Sequence, residues 1–600
     1  MQFENSCRSL DSAVAGVGGA QIFDAFGAFR RHAHLSFCSS SIDTSMEMLM
    51  KRMSKAVFGA AAGVLFCHSV LAATEVLPVK NALQEPLLGL YPAKNFRMAD
   101  GDCQDCQGTP KQSLWYFRDQ PIAVPKENVS GFSRKMRVQE DIRNWYAETQ
   151  KKGDGSLPGL LWIGAPSVLE GRFSIDGKSI ATAESMIQPL SLVPQLESNR
   201  SYFNEDSQQF FSGRMVRARG HQAEAGFVAR TLWPMDFALQ SSQMPLRPLS
   251  VGERISDLVR ADDTKFTEQL YSRLLWSRSG QALKLEGRPV MAFVLNGAQG
   301  DDDEAHGGHF AIATGYFGPN GEWDNWLVNN FYGLGSVSEK GIVASILPMD
   351  AYLADLNSGQ SWYRPSYMLV AVFRDNRTPR IYQEAINRAF NHFYRHDFEY
   401  NHATANCAGI NMEALRSLGW NIPLQGPDSR LKAAAALPYM AIKDGSLDSG
   451  RRAFEYLSSE KTNLYPFVAF EAAGADLLQR LIGGQRLESD YEKMLREDLE
   501  GIVFVRIPQF PSSRATGMAP VASLDEYMNR TPPNRADWKV IPVPPRPFPA
   551  ALKDPEAPTE AISSSNLALM AYGGVLSILS VGGWQLKRRR QDVSGKGKQS

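Results

Sequence analysis

The sequence lacks an excess of charge of either sign. Lys and Arg together number 64, Asp and Glu together also number 64, and the formal net charge at pH 7 is +0. A balanced chain has no bulk electrostatic field that would attract nucleic acid or an acidic partner. With 43% hydrophobic and 21% charged residues, the composition is that of ordinary globular domains. We therefore predict no nucleic-acid partner.

Long apolar runs are scarce, and the two that matter lie near the ends of the chain. Residues 46–73 combine a basic start, an apolar stretch and a small-residue cleavage site, which predicts a secretory signal peptide. A retained membrane anchor is the alternative, but the apolar run is short for a membrane span. Residues 1–45 carry no strong periodicity, so we assign them no fold and suspect that the true start lies among the methionines from Met46 to Met53.

The second apolar run, residues 567–586, is uncharged, about as long as a bilayer is thick, and followed by four basic residues. It predicts a transmembrane helix over 566–590 with a cytoplasmic tail at 591–600. The alternative is a C-terminal sorting signal that processing removes. The Pro-rich stretch at 541–565 is predicted to be an extended linker. Together the two ends predict a membrane-anchored protein whose body is periplasmic or extracellular.

Cysteine is also scarce, with six in the chain. Three of them fall in or before the predicted leader: Cys7, Cys38 and Cys67. Cys103 and Cys106 are predicted to form a local disulfide, with a redox pair or half of a metal site as alternatives. Cys407 is then the odd thiol in an oxidising compartment, which predicts that it is buried or reactive.

A polar loop ends at Asn406-Cys407, where an amphipathic helix is predicted to begin. Apolar residues recur at helical spacing through Ile410, Ala414, Leu415 and Leu418. Thr404 and Asn406 are both candidate N-caps. The dipole at a helix N-terminus favours a thiolate and lowers the pKa of a thiol, and a nearby imidazolium does the same. Cys407 is therefore the candidate nucleophile.

Strands with turn signals between them precede this helix and surround the motif His306-Gly307-Gly308-His309. Alternating or continuous apolar patterns bounded by Gly, Pro and Asn are typical of strands. The predicted strands are 289–297, 310–317, 326–332 and 367–374. A helix is predicted from 379 to about 398. We assign residues 286–425 to the catalytic domain. Residues 75–285 form an accessory region that is partly β-rich, and 426–540 a helical accessory region.

An Asn-Gly pair at 320–321 predicts a hairpin in which paired residue numbers sum to 641. In that register His309 faces Tyr332. Asn330 then lies diagonally beside His309 on the same face of the sheet, whereas Asn329 points to the opposite face. A thiol hydrolase needs a nucleophile, a base and a group that orients the base. The pattern thus favours Asn330 as the orienting residue.

The motifs GGHFAIATGYFG and NCAGINMEAL resemble those of the circularly permuted branch of the papain-like superfamily. This branch includes relatives of lecithin:retinol acyltransferase and of bacterial cell-wall amidases. The resemblance implies an α+β permuted papain-like domain with an antiparallel sheet and a nucleophile helix. It implies Cys407 as nucleophile, His309 as base and Asn330 as orienter, with no cofactor and no metal. Many relatives carry a second histidine on the neighbouring strand, where this chain offers only Asn329, Asn330 and Tyr332.

The resemblance further implies an amide or ester in cell-envelope polymer or lipid as substrate. Three alternatives remain open at this stage. The first is a catalytically inactive envelope-binding or scaffold protein. The second is zinc hydrolysis, because His392, His396 and His402 have the spacing of a three-histidine site, although they lack its general base and its turn glycine. The third is a cation bound by His306, His309 and the acidic run at 301–304.

Overall fold

The computed structural model describes the body of the chain in eleven ranges, together with the backbone of four short strands before residue 104. The ranges are 121–125, 136–152, 160–163, 167–183, 186–194, 203–261, 269–331, 345–394, 400–484, 486–512 and 516–539. The predicted leader, linker, membrane span and tail, and residues 1–45, lie outside the described residues. So does Cys106, and with it the predicted disulfide to Cys103.

Within these residues the chain forms eighteen strands. They are β1 Lys80–Asn81, β2 Leu90–Pro92, β3 Phe96–Arg97, β4 Asp102–Cys103, β5 Ile122–Pro125, β6 Leu160–Ile163, β7 Ser167–Phe173, β8 Ser179–Ala181, β9 Ile187–Leu192, β10 Met215–Ala223, β11 Gly226–Pro234, β12 Tyr271–Ser277, β13 Pro289–Asn296, β14 His309–Tyr316, β15 Leu327–Asn330, β16 Ser345–Pro348, β17 Ser366–Phe373 and β18 Leu499–Ile507.

The same ranges contain twelve α-helices. They are α1 Val138–Lys152, α2 Glu205–Phe211, α3 Ile255–Val259, α4 Met349–Ala354, α5 Arg377–Tyr394, α6 Cys407–Ser417, α7 Arg430–Lys443, α8 Leu447–Ser458, α9 Lys461–Leu464, α10 Pro466–Ala475, α11 Asp490–Asp498 and α12 Leu524–Arg530. Asp476–Leu481 continues α10 as a π-helical segment.

Ten strands form the central sheet, in the order β12-β18-β17-β13-β14-β15-β16-β5-β6-β2. Every position of β13 and β17 is buried, which is typical of strands covered on both faces. Helices α5, α6 and α10 pack against β13 or β14. The strands predicted at 289–297, 310–317, 326–332 and 367–374 are confirmed as β13, β14, β15 and β17, within one or two residues at each end.

The predicted hairpin register is also confirmed. Ile312 pairs with Asn329 and Ala313 with Val328, so the paired numbers sum to 641. The connection between β14 and β15 is longer than a two-residue turn, and inside it the Gly318 N–H donates to the Glu322 carbonyl at 2.9 Å. The longer loop preserves the register that places Asn330 on the His309 side of the sheet.

A second sheet closes on itself. Five of its six strands follow each other in the order β7-β10-β11-β9-β8, and β8 pairs again with β7, which closes a five-stranded barrel; the sixth, β1, pairs with β7. The pairing of β11 with β9 is parallel, and the other pairings within this ring are antiparallel. The barrel lies within the residues that the sequence assigns to an accessory region of unknown role.

The fold class predicted from the sequence is wrong. The described residues form a mixed α/β structure with a closed barrel, and not the α+β permuted papain-like domain that the sequence predicts. No helix among the described residues is long and apolar enough to cross a membrane. Local patterns predicted individual strands correctly, but barrel closure depends on pairings between distant segments that no local pattern reveals.

Candidate functional site

Cys407 is the first residue of α6, and its position follows from the cap that precedes it. The Asn406 side chain accepts from the N–H groups of Ala408 at 3.0 Å and Gly409 at 2.9 Å, which fixes the start of the helix. The same side chain donates to the Leu464 carbonyl at 2.9 Å, so the cap is anchored to a neighbouring helix. Cys407 is 4% exposed and is a free thiol.

Burial raises the pKa of the Cys407 thiol above its usual value. Hydrogen bonds from the Phe310 N–H, the Tyr400 hydroxyl and the Ala408 N–H oppose this rise, and so does the positive charge of Arg364. Desolvation of the sulfur outweighs these four effects together. The expectation of a lowered thiol pKa is therefore wrong, because the sequence shows the helix terminus but does not show how deeply the sulfur is buried.

His309 opens β14, one residue before the Phe310 N–H that contacts the Cys407 sulfur. Gly308 precedes it with φ of +71°, and a Cβ at that position would lie 2.5 Å from the Asn296 carbonyl oxygen. Only glycine fits this close, left-handed approach. The turn therefore brings His309 into the sheet directly beside Asn296 of β13, its register partner.

The imidazole of His309 faces the amide of Asn330, with 2.7 Å between Nε2 and Oδ1. Both residues are buried, at 4% and 0% exposure. Asn329 points the other way, and its side chain exchanges hydrogen bonds with Gln383 of α5. The structure thus brings two of the three predicted site residues into direct contact, and it places Cys407 against the backbone beside them.

A row of polar side chains continues from His309 across the neighbouring strands. Asn296 is the partner of both His309 and Ser366 in the sheet, and its amide donates to the Ser366 hydroxyl at 2.8 Å. Tyr352 of α4 donates its hydroxyl to the Asn296 amide oxygen. Its ring lies 6.3 Å from the His309 ring, centre to centre. Buried polar groups that satisfy one another in this way fix a single arrangement of the site.

The other predicted ligands do not converge on this site. His306 is buried beside Asp303, with 3.6 Å between Nε2 and Oδ1, and burial lowers the pKa of its imidazole. The Asp303 carboxylate accepts from the Lys539 N–H at 2.8 Å, and the Tyr527 hydroxyl donates to the Asp303 carbonyl. The acidic loop is therefore held by the C-terminal segment of the described chain.

Two of the three histidines of the zinc alternative, His392 and His402, contact different partners. His392 Nε2 lies 3.1 Å from the Asp141 carboxylate, which Arg388 binds as well. His402 is exposed, and its ring contacts Tyr400. His396 and Tyr332 lie outside the described residues. In the described part of the chain, no group of three or more His, Cys, Asp or Glu side chains could hold a metal ion.

No protein-family model, curated protein or solved structure matches this chain. The resemblance of its two motifs to those of permuted papain-like enzymes therefore stays a prediction.

Proposed function

We propose that the protein is a thiol-dependent hydrolase or acyltransferase that attacks an amide or ester carbonyl. Cys407 would be the nucleophile, His309 the base and Asn330 the residue that orients the base. The observation that carries this proposal is the 2.7 Å contact between His309 Nε2 and Asn330 Oδ1, next to Phe310, whose N–H acts on the Cys407 thiol. A nucleophile beside a base that a third group orients is the pattern of this chemistry.

The tautomer of His309 follows from its partner. An amide oxygen only accepts hydrogen bonds, so Nε2 carries the ring proton of neutral His309 and Nδ1 keeps the basic lone pair. Because burial raises the pKa of the thiol, Cys407 is protonated at rest. Nδ1 would therefore take the thiol proton as the sulfur attacks, and would not hold a thiolate in advance.

In the reaction, the sulfur bonds to the carbonyl carbon, and the bond to the leaving group breaks as that group departs with the electron pair. The proton on His309 passes to the leaving group. Water, or an acceptor alcohol or amine, then attacks the thioester and regenerates the thiol. The Asn406 cap uses the N–H groups of Ala408 and Gly409, so the Cys407 N–H is the candidate donor to the oxyanion.

A simple activated ester tests this proposal without knowledge of the natural substrate. On incubation with p-nitrophenyl acetate, Cys407 should acquire an acetyl group, visible by peptide mass spectrometry, together with a burst of p-nitrophenolate. Cys407→Ala should lose the burst and the label. Removing one sulfur from a helix start leaves only a small void, so that variant should remain folded.

His309→Ala should slow acylation by about 10²–10⁴-fold, which is the usual contribution of a general base. His221→Ala is the matched control, because His221 lies in barrel strand β10, outside this site. If wild type and Cys407→Ala release p-nitrophenolate equally fast, the protein is not a thiol enzyme. The alternative of a catalytically inactive binding protein, which the raised thiol pKa favours, would then stand.

The substrate class and the location of the protein are further parts of this proposal. We infer an amide or ester of cell-envelope polymer or lipid from the motif resemblance, and a place outside the cytoplasm from the signal-peptide pattern at residues 46–73. A reporter fused to the chain after the leader tests the second inference, because its activity shows on which side of the membrane it lies. A reporter that is active only in the cytoplasm would exclude it.

A further inference from the structure

Arg364 has different partners from three other buried arginines, Arg219, Arg230 and Arg388. Arg219, Arg230 and Arg388 each pair with a buried aspartate. Arg364 is 6% exposed, yet among the described residues it forms no ion pair. Its acceptors are neutral. Nε and Nη2 donate to the Gln360 amide oxygen at 3.0 and 2.7 Å, and Nη1 donates to the Gly297 carbonyl at 3.2 Å.

The guanidinium lies at the end of β13 that carries the candidate site. Gly297 follows Asn296, which is the register partner of His309. The Gly297 N–H donates to the Pro365 carbonyl at 2.8 Å, so the chain around Arg364 runs directly alongside this strand end. The charge of Arg364 also acts on the Cys407 thiol, where it opposes the rise in pKa that burial causes. Arg364 is therefore electrostatically part of the site.

A buried cation without a counter-charge is unfavourable, and proteins usually pair it. The three hydrogen bonds of Arg364 occupy three of its five N–H groups. Of all side chains, arginine has the planar arrangement of N–H donors that best matches the two oxygens of a carboxylate. A ligand carboxylate would supply the negative charge that no described side chain gives to Arg364, and it would accept from the N–H groups that these three bonds leave.

We propose that Arg364 anchors a carboxylate of the compound that Cys407 attacks. The substrate class would then be amides or esters that carry a free carboxylate close to the reacting carbonyl. This inference rests on the proposed function, because it assumes that Cys407 is the reacting group. It adds a specificity residue that no sequence motif indicates.

Two alkylating reagents that differ only in charge test this proposal. Iodoacetate carries a carboxylate and iodoacetamide carries the neutral amide, and both alkylate a thiol with loss of iodide. The measured quantity is the alkylation rate with iodoacetate divided by the rate with iodoacetamide. This ratio should be at least about tenfold higher at Cys407 than at the simple thiol N-acetylcysteine. A tenfold difference corresponds to about 1.4 kcal/mol. Arg364→Gln should lower this ratio to that of the simple thiol, and Arg364→Lys should retain part of it.

Arg506→Gln is the matched control. Arg506 is also buried, at 3% exposure, but it pairs in register with Tyr367, the neighbour of Ser366, and so lies on the opposite face of the sheet. This variant should keep the wild-type ratio. If Arg364→Gln slows both reagents equally, Arg364 only stabilises the thiolate, and the anchor proposal is overturned.

The wild-type protein provides a test that does not depend on the folding of any variant. Acetate should protect Cys407 from iodoacetamide, whereas acetamide, or chloride at the same ionic strength, should not. Equal protection by chloride and acetate would overturn the anchor. If iodoacetamide alkylates Cys407 but the rate ratio of iodoacetate to iodoacetamide is that of N-acetylcysteine, the anchor proposal is refuted. The proposal that Cys407 is a nucleophile is then unaffected. If neither reagent labels Cys407, the proposed function and the anchor both fail.

Discussion

The buried ion pair between Arg219 of the barrel and Asp350 of α4 should be essential to the junction between the barrel and the central sheet. Both side chains are 0% exposed, and Arg219 Nε donates to both carboxylate oxygens of Asp350 at 3.1 and 2.8 Å. Nη2 donates to Asn325 at 2.9 Å. We expect Arg219→Met to lower the free energy of unfolding by about 3–5 kcal/mol, because it leaves a buried carboxylate without its cation.

The surroundings of Asp350 make this cost hard to avoid. Burial raises the pKa of the nearby Asp324 carboxylate, and the negative charge of Asp350 raises that pKa further. Loss of Arg219 would remove one of the two positive charges that oppose both effects, the other being Arg217. In the double variant Arg219→Met/Asp350→Asn the unpaired charge disappears. The two substitutions should therefore cost less together than their sum, by about 1–3 kcal/mol.

Urea denaturation followed by tryptophan fluorescence measures these differences. The matched control is Arg214→Met, which breaks the pair with Asp236 at the surface, where the two side chains are 27% and 58% exposed. Such exposed pairs contribute about 0–1 kcal/mol. The reasoning from burial is refuted if Arg219→Met lowers the free energy of unfolding no more than Arg214→Met does. It is also refuted if the double variant loses as much free energy of unfolding as the two single variants lose in sum.

Three further outcomes follow from the site. Tyr352→Phe should lower the free energy of unfolding by about 1–3 kcal/mol in urea denaturation, because the Asn296 amide oxygen loses a buried donor. Gly308→Ala should cost at least about 1–2 kcal/mol from its left-handed backbone alone, whereas Gly307→Ala, whose Cβ would meet nothing within 4 Å, should be nearly neutral. Because the folded state raises the pKa of Cys407, wild type should lose stability relative to Cys407→Ala as pH rises above about 8.5, and show no such trend below it. Equal pH dependence of unfolding in both proteins would contradict the last expectation.

Local sequence signals predicted the strands and the helix that carry the candidate site. The apolar run of β13, the Asn-Gly turn before β15 and the Asn406 cap each act within a few residues of the feature they specify. Side-chain alternation then favoured Asn330 over Asn329, and the structure places Asn330 against His309. Because successive side chains of a strand point to opposite faces of the sheet, only one of two adjacent asparagines can lie on the His309 face.

The remainder of the site could not be predicted because it converges from distant parts of the chain. Tyr352, Ser366 and Arg364 each come from a segment without a recognisable motif. The sheet register places Ser366 beside Asn296, whereas Tyr352 reaches Asn296 from α4 and Arg364 reaches the Gly297 carbonyl from the segment before β17. The predicted direction of the Cys407 pKa shift was wrong for a related reason. The burial of Cys407 depends on the three-dimensional packing around it, which the sequence around the helix start does not encode by itself.

The short helix α4 explains how the barrel takes part in the site. Arg219 holds Asp350 near its first residue, and Arg230 holds Asp355 just beyond its last residue, with 2.6 Å between Nε and the carboxylate. Between these two anchors Tyr352 reaches Asn296, the register partner of His309. Because a helix of six residues is too short to be stable alone, its position depends on these contacts. The barrel is therefore a support that fixes one wall of the candidate site, and a change that weakens the Arg219 or Arg230 contact should displace Tyr352 before it disturbs α6 and Cys407.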